Sequence, residues 1–182
     1  MASFSARPIT TWPRSSWLPV RPRRRHLIAG LVLGLAGCGD KPPPPPPPTI
    51  VNLQLSATGS ANQTPDGKGA PVNVRVYQLG SAAAFDGAEF FPLFRTDKTT
   101  LGTDLVKKDE YLLTPDAPVK SASISPMEPV KVIGVFAAYR DFQKVAWRAT
   151  AEVPAHKTTT MTITADRDGV KLVATPGKPA SP

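Results

Sequence analysis

The sequence PVNVRVYQL, at residues 71–79, alternates between apolar and polar side chains. Its three valines share one face, whereas Arg75 and Tyr77 lie on the other. Because successive side chains of a β-strand point to opposite faces, a repeat of two residues predicts a half-buried strand. We therefore expect the valines to face a hydrophobic core, and Arg75 and Tyr77 to face away from it.

Seven other short segments carry similar strand signals, and turn-forming residues separate most of them. They are residues 50–57, 110–113, 119–124, 130–139, 144–151, 158–164 and 169–173. Segment 130–139 (VKVIGVFAAY) is the most apolar, so we predict that it forms a central strand buried on both faces. About eight short strands are most economically arranged as a two-sheet β-sandwich. The sequence thus predicts an all-β domain at residues 50–175.

A small helical insert is predicted within this domain, at about residues 81–105. SAAAF combines a good N-cap with strong helix formers, and Asp86-Gly87 ends this first piece. AEFFPLF begins a second helical piece, with Pro92 in its first turn, and residues 96–101 add a further short turn. We expect the phenylalanines of the insert to seal one end of the sandwich. An exposed aromatic docking patch is the alternative.

A polar loop separates the first two predicted strands. Residues 59–70, GSANQTPDGKGA, contain no apolar side chain larger than alanine. Glycine, asparagine, aspartate and proline are typical of loops, and twelve residues exceed a tight hairpin. Long loops on compact domains often carry function, although a solvated connection is the simpler interpretation of the pattern alone.

A basic and then apolar segment precedes Cys38, the only cysteine in the chain. This order is typical of a secretory signal peptide, and the apolar run is about half the length of a membrane-spanning helix. Residues 1–37 are therefore predicted to be removed. LAGC at residues 35–38 resembles a bacterial lipobox. This resemblance implies a diacylglyceryl thioether on Cys38, cleavage after Gly37 and acylation of the new amino terminus.

Residues 38–49 are predicted to form a lipid anchor and a stalk. Gly39 follows Cys38 and Asp40 comes one position later, which favours delivery to the periplasmic face of the outer membrane. The seven prolines at 42–48 are expected to form a stiff polyproline II spacer of about 20 Å. A proline-motif ligand is the alternative to a stalk. At the other end of the chain, residues 176–182 are predicted to be a disordered tail.

Charge gives no reason to propose nucleic acid as a partner. The formal net charge of the whole chain is +8, but residues 1–37 contain six arginines and no acidic residue. The remaining 145 residues carry 16 basic and 14 acidic side chains, which is close to neutral. A near-neutral domain lacks the basic surface that phosphate backbones require.

The residues also favour a non-enzymatic protein. His156 is the only histidine after residue 37, and no Gly-x-Ser-x-Gly elbow or phosphate-cradling glycine motif is present. With Cys38 acylated, no thiol remains for catalysis, a disulfide or a metal site. We expect no metal and no cofactor other than the acyl chains on Cys38.

The order of motifs identifies a family. A lipobox is followed by a strand, an asparagine-containing loop, PVNVRVYQL, Ala84-Phe85, Leu93-Phe94, Leu101-Gly102, GVFAAYRD at 134–141 and Trp147-Arg148. This order resembles TssJ, the outer-membrane lipoprotein family of the bacterial type VI secretion system, over nearly the whole chain after Cys38. The resemblance implies a transthyretin-like β-sandwich with a small helical insert. The proline stalk and Pro92 depart from the family pattern.

The resemblance also implies a role and a partner. TssJ proteins bind the periplasmic carboxy-terminal region of TssM, which spans the inner membrane with TssL, and so fix the trans-envelope complex to the outer membrane. The family contact maps onto loop 59–70, where we expect these residues to meet the partner: Asn62, Gln63, Thr64, Pro65, Asp66, Gly67 and Lys68. The alternative function is a periplasm-facing lipoprotein that binds a small apolar ligand in its sandwich, with the phenylalanine cluster at 85–94 as its mouth.

Charged residues on the predicted strands have a more ordinary interpretation. Arginines beside aromatic residues most often form structural ion pairs or stacks at a sheet edge. Arg75, which has Tyr77 two residues away, is expected to form such a structural contact. We therefore expect a fold-maintaining role for Tyr77, Arg140, Asp141, Trp147 and Arg148.

Overall fold

The computed structural model describes residues 43–177. Within them the chain forms eight β-strands and two α-helices. The strands are β1 (Ile50–Ala57), β2 (Val72–Leu79), β3 (Leu105–Leu113), β4 (Lys120–Ile124), β5 (Val132–Ala137), β6 (Arg148–Glu152), β7 (Thr158–Asp166) and β8 (Gly169–Pro176). The helices are α1 (Ala83–Gly87) and α2 (Phe90–Leu101), followed by a 3₁₀ turn at Gly102–Asp104.

The strands form two four-stranded sheets, with orders β4-β1-β7-β8 and β3-β2-β5-β6. Neighbouring strands are antiparallel except for β1 and β7, which are parallel. The predicted all-β sandwich of about eight strands is thereby confirmed. Segment 130–139 supplies β5, which lies between β2 and β6 and is almost entirely buried, as expected for a central strand.

The space between the sheets is filled by alternate residues of the inner strands. Large side chains with 0–1% of their surface exposed include Val51, Leu53, Leu55, Val74, Val76, Ile133, Val135, Met161 and Ile163. Removing such a side chain from water contributes about 1.5–3 kcal/mol relative to leaving it exposed. The valines of β2 face this core, so their predicted orientation is correct.

The helical insert covers the outer face of the β3-β2-β5-β6 sheet, where it forms a second apolar cluster. This cluster consists of Tyr77, Leu79, Phe85, Phe90, Leu93, Leu101 and Phe136. The expectation that the phenylalanines seal an end of the sandwich is therefore wrong, because the insert follows β2 and folds back against that strand's own sheet. Tyr77 does point away from the sandwich core, yet the insert leaves it 0% exposed.

A glycine in β5 allows the insert to approach closely. A Cβ added at Gly134 would lie 3.2 Å from two ring carbons of Phe85. The two pieces predicted after Gly87 form one helix, α2, kinked at Thr96, whose backbone angles are non-helical. Pro92 is the third residue of α2, where a missing N–H costs no helical hydrogen bond.

The largest differences from the predicted strand boundaries occur in β3, β6 and β8. β3 begins at Leu105, five residues before the predicted start, because its charged sequence VKKDE hides the strand pattern. β6 begins at Arg148 instead of residue 144, and Ala146 forms only an isolated bridge to Gly169. β8 continues to Pro176, one residue into the predicted tail. Residues 178–182 lie outside the described part of the chain.

The sandwich has two distinct ends. At one end, named the stalk end after the predicted stalk, residues 43–49 enter β1, and the connections 125–131 and 153–157 lie beside them. At the loop end, residues 58–71 join β1 to β2 and neighbour the connections 114–118, 138–147 and 167–168. Within residues 43–177 no helix has the length and apolar character needed to cross a bilayer.

Candidate functional site

The loop between β1 and β2 is held in one shape by its own backbone. Ala70 donates its N–H to the carbonyl of Ala61 at 3.0 Å, which closes the base of the loop. At the tip, the N–H and hydroxyl of Thr64 both donate to the carbonyl of Lys68, at 2.8 and 2.9 Å. Gly67 donates its N–H to Thr64 at 2.9 Å. The loop is therefore a preformed structure, which lowers the ordering cost of binding a partner.

Asn62 anchors the loop to the sandwich. Its backbone has φ of 49°, in the left-handed region that asparagine tolerates better than most residues. The side-chain amide donates to the carbonyl of Pro71 at 2.9 Å, and its oxygen accepts the backbone N–H of Arg140 at 2.8 Å. Both ends of this amide are occupied within the protein, so Asn62 holds the loop in place.

Close packing also fixes the base of the loop. A Cβ added at Gly69 would lie 2.3 Å from the carbonyl oxygen of Gly59, so only glycine fits there. The neighbouring turn reinforces this arrangement, because Asp116 donates its N–H to the carbonyl of Ala57 at 3.0 Å.

The tip of the loop is the part available to a partner. Pro65, Asp66, Gly67 and Lys68 are exposed, whereas Gln63 and Thr64 are half-buried. The Asp66 and Lys68 side chains are 63% and 83% exposed and 4.0 Å apart, too loose a pair to stabilise the loop appreciably. The Thr64 hydroxyl and the backbone N–H of Asp66 hold the pKa of Asp66 below its usual value. The tip thus presents one negative and one positive charge side by side.

A polar pocket of about 250 Å³ adjoins the loop. It is lined by Asn62, Gln63, Tyr139, Asp141, Lys144, Val145, Arg167 and Asp168. Tyr139 forms its buried wall: its hydroxyl accepts the N–H of Asp166 at 3.1 Å, and burial raises the pKa of Tyr139 to about 12. Sequence analysis missed this pocket because three separate segments build it and no local pattern links them.

The charged residues behind the insert form a buried network centred on Asp97. One carboxylate oxygen of Asp97 accepts hydrogen bonds from Lys108 at 2.8 Å and from the Tyr77 hydroxyl at 3.0 Å. Arg75 approaches the same oxygen at 3.5 Å and donates to the carbonyls of Leu93 and Phe94 at 3.1 and 3.0 Å. Arg75 therefore has the structural role that its neighbours predicted.

Arg148 fastens the other side of the insert. Its guanidinium donates to the carbonyls of Phe85 and Ala88, at 3.0 and 2.5 Å, and lies 4.7 Å from the Trp147 ring. These contacts support the fold-maintaining role expected of Arg148 and Trp147. Arg140 and Asp141 differ, because their side chains are exposed and only the Arg140 backbone N–H holds the loop.

The space that an apolar ligand would need inside the sandwich is filled by side chains. The phenylalanine cluster lies on the outer face of one sheet and does not open into the interior. This packing argues against a ligand-binding sandwich. Within residues 43–177, no three His, Cys, Asp or Glu side chains are grouped so that they could hold a metal ion. Cys38 lies outside the described residues.

The fold and the loop define a class of protein: a β-sandwich domain with a helical insert on one face and one preformed loop. Residues 49–168 match the family model described as type VI secretion lipoprotein, VasD, EvfM, TssJ. The chain therefore belongs to the TssJ family of type VI secretion lipoproteins.

Solved structures agree with this assignment. The chain is 35% identical to the lipoprotein TssJ1 of Pseudomonas aeruginosa, with a TM-score of 0.68, over 72% of this chain and 100% of the other. Similarity to Lip of Serratia marcescens, a membrane-bound component of the type VI secretion system, gives 26% identity and a TM-score of 0.64. That match covers 69% of this chain and 98% of Lip.

A third match comes from the structure of the TssM C-terminal domain (869–1107) from EAEC. The matched chain is 26% identical, with a TM-score of 0.55, over 68% of this chain and 99% of the other. No curated protein sequence matches the chain.

Proposed function

We propose that the protein is the lipid-anchored outer-membrane component of the type VI secretion membrane complex. In this role, Cys38 carries the lipid after residues 1–37 are removed, and the domain faces the periplasm. It binds the periplasmic carboxy-terminal region of TssM and is linked through TssM to TssL. The protein is non-enzymatic and acts by holding its partner to the membrane.

The observation that carries this proposal is the position of the loop tip. The proline segment enters the domain at the stalk end, whereas residues 65–68 protrude at the loop end. β1 alone separates these ends by eight residues, about 26 Å at 3.3 Å per residue. A domain mounted on the outer membrane by its stalk therefore presents the loop tip towards the periplasm, where TssM would approach.

Two further facts support TssM as the partner. The chain belongs to a family of type VI secretion lipoproteins, and it is similar to a chain in the structure of the TssM C-terminal domain. The loop itself is preformed and bears paired charges, which suits recognition of a polar protein surface.

Replacing the loop tip tests the proposal. The chain from residue 38 onward, with Cys38→Ser, is mixed with the periplasmic carboxy-terminal region of the TssM encoded with it. We expect binding, and we expect it to be lost when residues 65–68 are replaced by Gly-Ser-Gly-Ser. The melting temperature should change little, since these side chains are exposed.

The matched control places Ser at Met127 and Glu128, two exposed residues at the stalk end. This variant should bind TssM as the parent protein does. Binding that survives replacement of the loop tip would contradict the proposed contact.

A further inference from the structure

An aromatic groove lies on the outer surface of the helical insert. Phe90 stacks on Phe142 with ring centroids 4.1 Å apart and meets Trp147 edge-on at 5.3 Å. Phe91 and Phe142 flank an open groove of about 520 Å³ that Trp147 also lines. Phe91 is 48% exposed and Phe94, one turn further along α2, is 42% exposed. A contiguous patch of exposed apolar side chains often marks an interaction site.

The groove lies at the loop end of the domain. Two residues of β2 bind the insert in order along the chain. Arg75 donates a hydrogen bond to Leu93, and Tyr77, two residues later, donates one to Asp97. α2 therefore runs in the direction of β2 and begins, at Phe90, near the loop end. Phe142 follows Arg140 by two residues, and Arg140 is the residue whose N–H is held by Asn62. The groove and the loop are thus joined through one short turn.

The loop tip alone is too small and too polar to hold a partner firmly. A stable interface buries about 800 Å² on each partner and involves about 20 to 30 residues a side. Its binding energy is concentrated in a few anchors, most often Trp, Tyr and Arg in well-packed pockets. The four exposed tip residues, Pro-Asp-Gly-Lys, include no such anchor. A partner that binds the tip must therefore bury additional surface nearby.

The other broad face of the sandwich does not offer that surface. The outer face of the β4-β1-β7-β8 sheet carries hydroxyl and amide side chains, among them Asn52, Gln54, Ser121, Ser123, Thr160 and Thr162. Val173 is a large apolar residue on that face, 58% exposed. Polar strand faces of this composition are normally solvated.

We propose that the aromatic groove is the second half of the partner surface. It receives a large apolar side chain from the same periplasmic protein that contacts the loop tip, so that one partner spans both sites. This inference rests on the proposed function. Polar contacts at the loop tip orient the partner, and the groove buries the apolar side chain that contributes most of the binding energy.

Phe91→Glu tests the groove separately from the loop. Phe91 is the second residue of α2, where a carboxylate is favourable to the helix and partly offsets the loss of the edge-on contacts with Phe90 and Phe142, so the variant should remain folded, and its melting temperature is measured beside the affinity. Affinity for the TssM carboxy-terminal region is measured by isothermal titration calorimetry with the chain from residue 38, carrying Cys38→Ser. We expect Phe91→Glu to weaken binding at least about tenfold and Phe91→Leu to weaken it far less. Val173→Glu, the matched change on the opposite face, should bind as the parent protein does.

The outcomes separate this inference from the proposed function. Loss of binding on replacing residues 65–68, together with full binding by Phe91→Glu, overturns the groove and leaves the proposed function intact. Absence of binding by the folded parent protein overturns both. If Phe91→Glu instead converts a self-associating protein into a monomer without weakening TssM binding, the groove belongs to a second copy of this chain and the inference is wrong.

Discussion

Asp97 joins the helical insert to the sheet beneath it. It is 7% exposed, and its carboxylate accepts hydrogen bonds from Lys108 of β3 and from Tyr77 of β2. Burial raises the pKa of Asp97, but the hydrogen bonds from Lys108 and Tyr77 lower it more, so the net pKa lies below its usual value. Burial also raises the pKa of Tyr77 above its ordinary range, which keeps the hydroxyl a donor to this carboxylate.

Asp97→Asn should therefore destabilise the domain in a pH-dependent way. At pH 7 we expect the free energy of unfolding to fall by about 2–3 kcal/mol, because Lys108 and Arg75 lose their buried counter-charge. A carboxylate whose pKa is lowered by folding stabilises the protein above its unfolded pKa of about 3.9, and this stabilisation is lost as pH falls through the folded pKa. The difference between parent and variant should hold from about pH 7 to 5 and shrink below about pH 4.

Denaturant titrations at several pH values measure this difference. Asp168→Asn is the matched control, since Asp168 is exposed and lies 3.8 Å from an equally exposed Arg167. Its effect should stay within about 0.5 kcal/mol. A stability difference for Asp97→Asn that is as large at pH 3 as at pH 7 would show that its charge is not what matters.

At the scale of single residues, the sequence predicts a partner-binding loop but does not distinguish the residues that hold the loop from those that are exposed. The family resemblance placed Asn62 among the residues expected to meet a partner, and the structure shows that both the nitrogen and the oxygen of its side-chain amide form hydrogen bonds within the protein. Nothing local distinguishes Asn62 from Gln63, because the distinction depends on Arg140, which is 78 residues away. Exposure of Pro65, Asp66 and Lys68 follows more directly from their composition.

Among the elements, the end of the predicted stalk is held against the domain. The His156 ring donates from Nδ1 to the carbonyl of Pro47 at 3.0 Å, and its backbone N–H donates to the Thr49 hydroxyl at 2.9 Å. The prolines at 46–48 also line a pocket with Met127, Val130 and Val153. These contacts fix the orientation of the last part of the predicted stalk relative to the sandwich.

Removing the His156 ring should release the stalk. His156 has φ of 58°, which glycine tolerates, so His156→Gly deletes the ring contact without backbone strain. Spin labels on cysteines introduced at Pro44 and Thr175, in a Cys38→Ser background, report the distance between stalk and domain. We expect a narrow distribution in the parent protein and in the Lys157→Gly control, and a broad one in His156→Gly. Equal widths in all three would show that the ring does not hold the stalk.

Element types were easier to predict than element boundaries. β2 and β5 were identified because one or both of their faces are apolar. The prediction covers only the last four residues of β3, 110–113. β3 is an edge strand, and its charged side chains form ion pairs with the insert and with each other. Residues 144–147 have a strand-like composition, but β6 begins only at Arg148, where pairing with Phe136 starts.

For the whole molecule, the sandwich could be predicted, but the placement of the insert could not. Strand count and turn signals limit the architecture to two packed sheets. Whether the four phenylalanines of the insert close an end or cover a face depends on contacts such as Arg148 with Phe85, which join residues 63 positions apart. The polar pocket and the aromatic groove escaped prediction for the same reason, since each combines distant segments.

The central proposal concerns orientation: we propose that the loop end faces TssM and that the stalk end faces the outer membrane. Photocrosslinking in cells tests it most directly, with a benzophenone amino acid placed at Asp66 or, as the control, at Met127, which is 80% exposed at the stalk end. We predict that position 66 crosslinks to TssM and that position 127 does not. Crosslinking to TssM from position 127 but not from position 66 would contradict the account.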